Sequence, residues 1–568
     1  MGSSPTNPSR STSRRTLARR RLIVGSGSAM ALAALGTGIS ALAQDATPPP
    51  AVTGSTPEAS PTALPMVPPE LDQYADDWPA AQGNIANHRA ASNPKINASN
   101  VSSLEVAWSF PVKATSGSGG MTCTPIIADK NVYVQDMLSN VFALDRDTGK
   151  VVWEKDYNAT SEGPNGVTIG YGMIFGSTGD NREVFALDAA TGEEKWRTIL
   201  SGNTRDGIDM APAVYNGVVY ISTVPGNSKA FYDGGARGVL FGLDASSGQI
   251  LWQFYTTDAD LWGNPSVNSG GGSWYPPAID EQGNLYWDIA NPAPFQATQI
   301  DGTPVVNGSS FPGQNNFSDC MVALEPNRKM RWFYQANPHD IFDHDLQQSP
   351  VLVTVDNNGN PYTVLLGSGK LGKVIAIEAT TGQMVWTTKV GEHNAWDDSQ
   401  WVPPGQSVTV LPGAAGGVES PIAYADGTVF VPVLNLPVNF TSEGLDASKG
   451  VSFNNATGQL TALNIFDGTV KWDVKMPAGN VSGATVSNDV VFAGALDGIV
   501  RAYATGDGSL LASFQTDAGL NAPFAVAGDL LVVPSAGAKL VSDTYAPEST
   551  PVAGTVTGPA VIGYKLKG

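Results

Sequence analysis

One motif recurs along this chain and constrains its fold more than any other feature: an apolar strand ending in an acid, a Gly-containing turn, then a strand carrying Trp. It reads VFALDRDTGKVVW at 141–153, VFALDAATGEEKW at 184–196 and LFGLDASSGQILW at 240–252. It returns as MVALEPNRKMRW at 321–332, VIAIEATTGQMVW at 375–386 and LTALNIFDGTVKW at 460–472. A degenerate copy, VRAYATGDGSLLASF at 500–514, has Phe514 at the Trp place. LEVAWSF at 104–110 supplies an eighth marker, Trp108, with no preceding strand of its own kind. Alternating apolar residues make the strands, and Thr-Gly or Asp-Gly gives the turn its positive φ. A lone four-stranded unit cannot bury both faces, so the stable answer is repetition into a closed ring. A β-sandwich array would not need Trp at the same step of every hairpin. Eight markers therefore predict an all-β fold, an eight-bladed β-propeller with each Trp wedged between blades. The stray Trp108 predicts that the N-terminal strand completes the last blade beside GPAVIGYKLKG (558–568), removing two exposed edges. The long intervals between markers, 252 to 332 and 386 to 472, leave room for inserted loops.

The remaining sequence sets the compartment. Residues 10–21 read RSTSRRTLARRR, an apolar run starts at Leu22, and Ala41-Leu42-Ala43 forms an A-x-A cleavage signal. Ser13-Arg14-Arg15-Thr16-Leu17 resembles a twin-arginine export motif. Residues 1–43 thus read as a signal for export to the periplasm, the cell surface or the medium, with an uncleaved anchor as the alternative. Residues 44–72, rich in Pro, Thr and Ala, read as a disordered linker, and 73–568 as the propeller. No later stretch is long enough to cross a membrane. The formal charge is −20, and without the six arginines of the first 43 residues 26 basic side chains face 52 acidic ones. Such a surface repels nucleic acid and anionic lipid. The two cysteines, Cys123 and Cys320, exclude a zinc ribbon, and there is no C-x-x-C-H haem signature. They either pair or stand as two buried thiols.

The marker A-x-D-x-x-T-G-x-x-x-W is similar to the tryptophan-docking motif of the quinoprotein alcohol dehydrogenases, the methanol dehydrogenase-like propellers that hold pyrroloquinoline quinone (PQQ) and a metal ion on their axis. DWPAAQGNIANHRAASNPKINASNVSSLEVAWSF (77–110) resembles the start of that family, so the likeness runs from Asp77 to the C-terminus. It implies oxidation of an alcohol, small or polymeric, with electrons passed to a separate acceptor, since no fused cytochrome is visible. In GGGSWYPPAIDEQGNLYWDIANPAPF (270–295), Trp274 matches the floor on which the quinone stacks and Asn291 a metal ligand. In YQANPHDIFDHDLQQSPV (334–351), Asp343 matches the catalytic carboxylate, which takes the hydroxyl proton while hydride moves to the quinone. Asp345 stands where lanthanide-using members carry an extra acid. In FYDGGARGVLFGLD (231–244), Asp233 takes the place of a metal-binding glutamate. Asp233, Asn291, Asp343 and Asp345 form an all-oxygen set, suited to calcium or a lanthanide and unsuited to zinc. Lys370 matches a cation that bridges the quinone oxygens, and Thr178 and Asn435 match cofactor hydrogen-bonding positions.

Three positions depart from the family pattern. NATSEGPNGVTIG (158–170) lacks the adjacent cysteines that cover the quinone's other face, Asn165 replaces an arginine, and Thr122 replaces a glutamate. Two readings follow: a PQQ- and metal-dependent alcohol dehydrogenase, or a propeller that binds a protein, glycan or polymer without redox chemistry.

Overall fold

The computed structural model describes residues 64–567, apart from 231, 233, 258–263, 265–267, 296, 301–302, 311–313, 358 and 541–557. The signal at 1–43 and most of the linker lie outside the described residues. Eight blades follow in chain order, each built on four antiparallel strands, with two short further strands joined to the third. The first comprises Ile126–Ala128, Asn131–Gln135, Val141–Asp145 and Val151–Lys155. The next six span 168–199, 213–255, 278–335, 351–389, 423–476 and 484–515. The eighth is closed as the sequence predicts: Leu104–Pro111 pairs antiparallel with Ala560–Leu566, Phe110 opposite Val561. The three inner strands of a blade are sandwiched between neighbours and almost wholly buried. Outer strands such as Val151–Lys155 bury chiefly the Trp.

The Trp wedge has a repeated geometry. The indole N–H donates to a carbonyl of the next blade: Trp108 to Arg146, Trp153 to Ala189, Trp196 to Ala245, Trp332 to Ala379, Trp386 to Ile465 and Trp472 to Thr505, all at 2.8–3.1 Å. The ring lies on the turn glycine of that blade, as on Gly248, where a Cβ would stand 2.4 Å from Trp196. A register shift at the small residue facing each Trp, such as Ala143 opposite Trp153, swings the indole outward toward its neighbour. Trp252 meets a turn without glycine, Pro326-Asn327-Arg328-Lys329, and there Arg328 Nη1 donates to the Gln253 carbonyl instead.

Two expectations need restating. Residues 64–72 are ordered, not part of a disordered linker: Leu64 and Val67 pack on the core of blades two to four, and a short helix, Pro69–Gln73, presents Glu70 to the Tyr171 and Gly172 amides. Composition missed this because a few scattered side chains, without a periodic apolar pattern, anchor the segment. Of the two cysteine alternatives, the structure has free buried thiols in different blades, with burial pushing Cys123 up to about 12. No helix among the described residues is long and apolar enough to cross a membrane.

In each blade the loop before the first strand and the loop after the second open at one end of the ring, and the docking turns lie at the other. Glycine substitutions separate the two costs of docking. Gly405→Ala, at φ +76 in open space, should cost only backbone strain, about 1 kcal/mol. Gly248→Ala adds the clash with Trp196 and should lower stability by roughly 3 kcal/mol, read as the shift in urea midpoint.

Candidate active site

Both kinds of loop from blades four and five meet at one end of the axis. Trp274 precedes the first strand of blade four and Asn291 follows its second. Asp343 and Asp345 precede the first strand of blade five, and Lys370 follows its second. The Gly run that carries Trp274 folds tightly because Gly270, Gly271 and Gly272 all have positive φ, and at Gly272 a Cβ would lie 2.3 Å from the Thr223 carbonyl oxygen. Ser269–Gly271 thereby pairs with both Arg237–Gly238 of blade three and Pro292–Ala293, tying the Trp274 and Asn291 loops together.

Lys370 Nζ donates to Asp343 Oδ1 at 2.7 Å and to Asp345 Oδ2 at 3.2 Å, with all three side chains buried. Burial alone would lower the ammonium, but the two carboxylates outweigh it and hold Lys370 well above its ordinary value. Burial likewise raises Asp343, and Asp345 to about 7, against the pull of Lys370. Trp274 is wholly buried, stacks near the Tyr232 ring at 18° and donates its indole N–H to Tyr232 Oη at 3.0 Å. Tyr232 feels the charges of Lys370, Asp345 and Asp343, so the indole and the ion cluster form one site. Asn291 Nδ2 donates to Asp340 Oδ2 at 2.7 Å, and its side chain also hydrogen-bonds Asp343.

The other expected residues lie elsewhere. Asp233 is outside the described residues. Thr178 and Asn435 sit at the same end of the ring, but their polar atoms serve the scaffold. Glu183 takes up the Thr178 hydroxyl, while the Asn435 amide bonds Glu392, Thr457 and Gln459. His344 is buried with Nε2 2.8 Å from the Pro412 carbonyl, and burial lowers it to about 4.

Sequence reasoning missed Tyr232, Asp340, Asp319, Asp288 and Glu419, all buried near this centre. A signal for Glu419 exists. The first strands of six blades follow an X-Pro step, and the residue two before that Pro is Cys123, Met210, Trp274, Gln348, Glu419 or Asn521. Glu419 thus holds in blade six the register that Trp274 holds in blade four.

The buried atoms also show what the site could hold. The Asn291 Oδ1, Asp345 Oδ1 and both Asp319 carboxylate oxygens are buried without a hydrogen-bond partner. Oxygen acceptors of this kind suit a hard cation. Among the described residues no three His, Cys, Asp or Glu side chains stand ready as a metal cage. Asn291 falls outside that class of ligand, and Lys370 engages Asp343 and Asp345. A buried indole beside a fixed ammonium suits a flat anionic quinone.

The model of the glucose/ethanol/alcohol dehydrogenase β-propeller domain matches residues 202–390. That of the outer membrane protein assembly factor BamB matches 92–268 and 370–544. Quinohemoprotein alcohol dehydrogenase ADH IIB of Pseudomonas putida is 26% identical over 560 residues, 88% of this chain and 78% of the relative. Polyvinylalcohol dehydrogenase of a Pseudomonas species is 28% identical over 571 residues, 89% of this chain and 79% of that one. The structure of quinohemoprotein alcohol dehydrogenase ADHIIG from P. putida HK5 superposes with a TM-score of 0.73 at 22% identity, covering 88% of this chain and 82% of the other. That superposition shares the propeller fold.

Over most of its length the chain is similar to the PQQ-dependent quinoprotein alcohol dehydrogenases. The relatives it matches along most of its length are dehydrogenases, which favours an enzyme over the propeller without redox chemistry.

Its departures from the family pattern form one local structure. The 158–170 stretch lies against Trp274: a Cβ on Gly163 would stand 2.6 Å from the indole and 2.7 Å from Asp209 Cβ. Asp209 Oδ1 accepts from Ser161 Oγ and the Glu162 amide, both at 2.8 Å. Thr122 Oγ1 donates to the Gly163 carbonyl at 2.8 Å, and Asn165 Nδ2 to the Asp136 carbonyl at 2.8 Å. The residues at the glutamate and arginine positions therefore brace the backbone that covers the indole.

Burial raises Asp209 to about 6 and, with the charge of Asp209, raises Glu162 to about 7. An acid raised on folding binds its proton more tightly in the native state, so stability is lost as pH climbs from the unfolded value, near 4.3 for Glu, through the folded one. Glu162→Gln should therefore shrink the loss of stability between about pH 5 and 7.5, measured as the difference in urea midpoint at the two pH values.

Proposed function

We propose that this chain is an exported quinoprotein dehydrogenase that oxidises an alcohol to an aldehyde or ketone, with PQQ beside one calcium or lanthanide ion and a separate protein as electron acceptor. The observation that carries the reading is the buried Asp343–Lys370–Asp345 cluster joined through Tyr232 to Trp274, with the unpartnered Asn291 Oδ1 beside it. Trp274 would border the quinone, and Asn291, Asp343, Asp345 and Asp233 would hold the cation. When bound, the pair supplies a two-electron acceptor with a polarised carbonyl.

The chain's own residues do the rest. Asp343 receives the hydroxyl proton of the substrate on its carboxylate. Lys370, held at 2.7 Å, fixes that carboxylate in place and keeps a positive charge where negative charge develops. The closed surroundings keep bulk water from the ion cluster, which strengthens each of these interactions. The substrate is an alcohol, either small or part of a polymer; the polyvinylalcohol dehydrogenase among the relatives supports including polymers.

The test is reconstitution of the purified chain with PQQ plus calcium, or plus lanthanum, followed by alcohol-dependent dye reduction. Asp343→Ala should lower kcat by about 10²- to 10⁴-fold. His393→Ala, in a side chain engaged with Asp397, should leave it unchanged. Failure to retain PQQ with any cation sinks the reading.

A further inference from the structure

Asp340 is wholly buried, three residues before Asp343, and its two oxygens do different work. Oδ1 accepts the backbone amides of Phe342 at 3.1 Å and His344 at 2.9 Å, and the Asn337 side chain at 3.3 Å. These bonds build the turn in which Asp343 adopts a left-handed φ of 65°, a conformation that a non-glycine residue holds only when its surroundings impose it. Oδ2 accepts the Asn291 Nδ2 at 2.7 Å, the short distance of a charge-assisted bond. A carboxylate offers only acceptors, so it can hold Asn291 in one orientation of its amide, with nitrogen toward Asp340 and Oδ1 turned away. That Oδ1 is buried and has no partner.

We propose that Asp340 is a positioning residue: by accepting the Asn291 amide with one oxygen and bracing the Asp343 turn with the other, it aims a neutral oxygen ligand and the base carboxylate at the same cation. The inference rests on the function proposed above, and goes beyond it by naming the group that sets the direction of the Asn291 oxygen. No proton moves through Asp340. Its effect, together with the Asp343 carboxylate that the same amide reaches, is to remove the choice of amide orientation.

Substitution separates the two duties. In Asp340→Asn the side-chain carbonyl still accepts the Phe342 and His344 amides, so the turn is kept. The new amide nitrogen now faces Asn291, which must rotate and present its own nitrogen to the cation. The paired exchange Asp340→Asn with Asn291→Asp restores a donor opposite an acceptor and returns an oxygen to the cation. The readout is terbium(III) titration of the purified chain by tryptophan-sensitised luminescence, with PQQ-dependent activity measured in parallel. Asp340→Asn should weaken terbium binding by about 10- to 100-fold, as loss of an outer-shell partner of a metal ligand does, and the paired exchange should recover most of it. Terbium affinity of Asp340→Asn within twofold of the parent, or a paired exchange no better than the single variant, overturns the positioning role alone. A parent chain that binds no terbium overturns the proposed function, and this inference with it.

Discussion

The ring stands on the indole that each outer strand lends to the next blade. Six such indoles make the same hydrogen bond to a carbonyl, and each lies on a backbone turn that only glycine lets approach so closely. Every blade docks on its successor, and the N-terminal strand supplies the outer strand of the last, so the ring closes with that blade complete. The docking turns occupy one end of the ring and the Trp274, Asn291, Asp343 and Lys370 loops the other. The scaffold motif can therefore stay regular while the opposite loops take on whatever length and charge the chemistry needs.

At that opposite end the chain does something a scaffold alone would not. Asp288, Asp319, Asp340, Asp343 and Asp345 are all buried, and all but Asp288 feel the ammonium charge of Lys370. Burying carboxylates without compensation is costly, and replacing such a cluster with apolar residues would generally stabilise a fold. In the proposed function the missing compensation is the charge of a bound cation. A hard cation answers this requirement without any soft ligand, and the buried Asn291 oxygen extends the set with a donor that adds no further negative charge.

How much of this could be read from the sequence follows from what kind of residue carries each feature. The blades were legible because a wedge demands a large ring at one fixed step and a glycine at another, and both recur. The last blade was legible from Trp108 alone, a wedge without a hairpin. The site was partly legible: Trp274, Asn291, Asp343, Asp345 and Lys370 stand in segments that resemble a known pattern, and the structure brings them together. Tyr232 and Asp319 were not, since each is one polar residue in a loop whose partners are 42 residues or more away in Trp274, or in another segment altogether. Thr178 and Asn435 show the converse, positions of the right type whose hydrogen bonds are taken up by their own surroundings.

The loop over Trp274 shows why a set of absences can be read as a design. Missing cysteines, a missing arginine and a missing glutamate look like three independent losses when aligned one by one. In three dimensions Thr122, Asn165 and Gly163 belong to a single braced segment, with Asp209 holding its Ser161 and Glu162 end. A cover made of backbone needs a residue without a side chain where it meets the ring, and Gly163 meets that need at a point where any Cβ would overlap the indole. It also needs short polar groups to hold the carbonyls and amides that a disulfide would have fixed covalently, and Thr122 and Asn165 are short enough to do so from beneath. The departures are thus mutually dependent: restoring a long charged side chain at either position would remove a brace from the cover without replacing it.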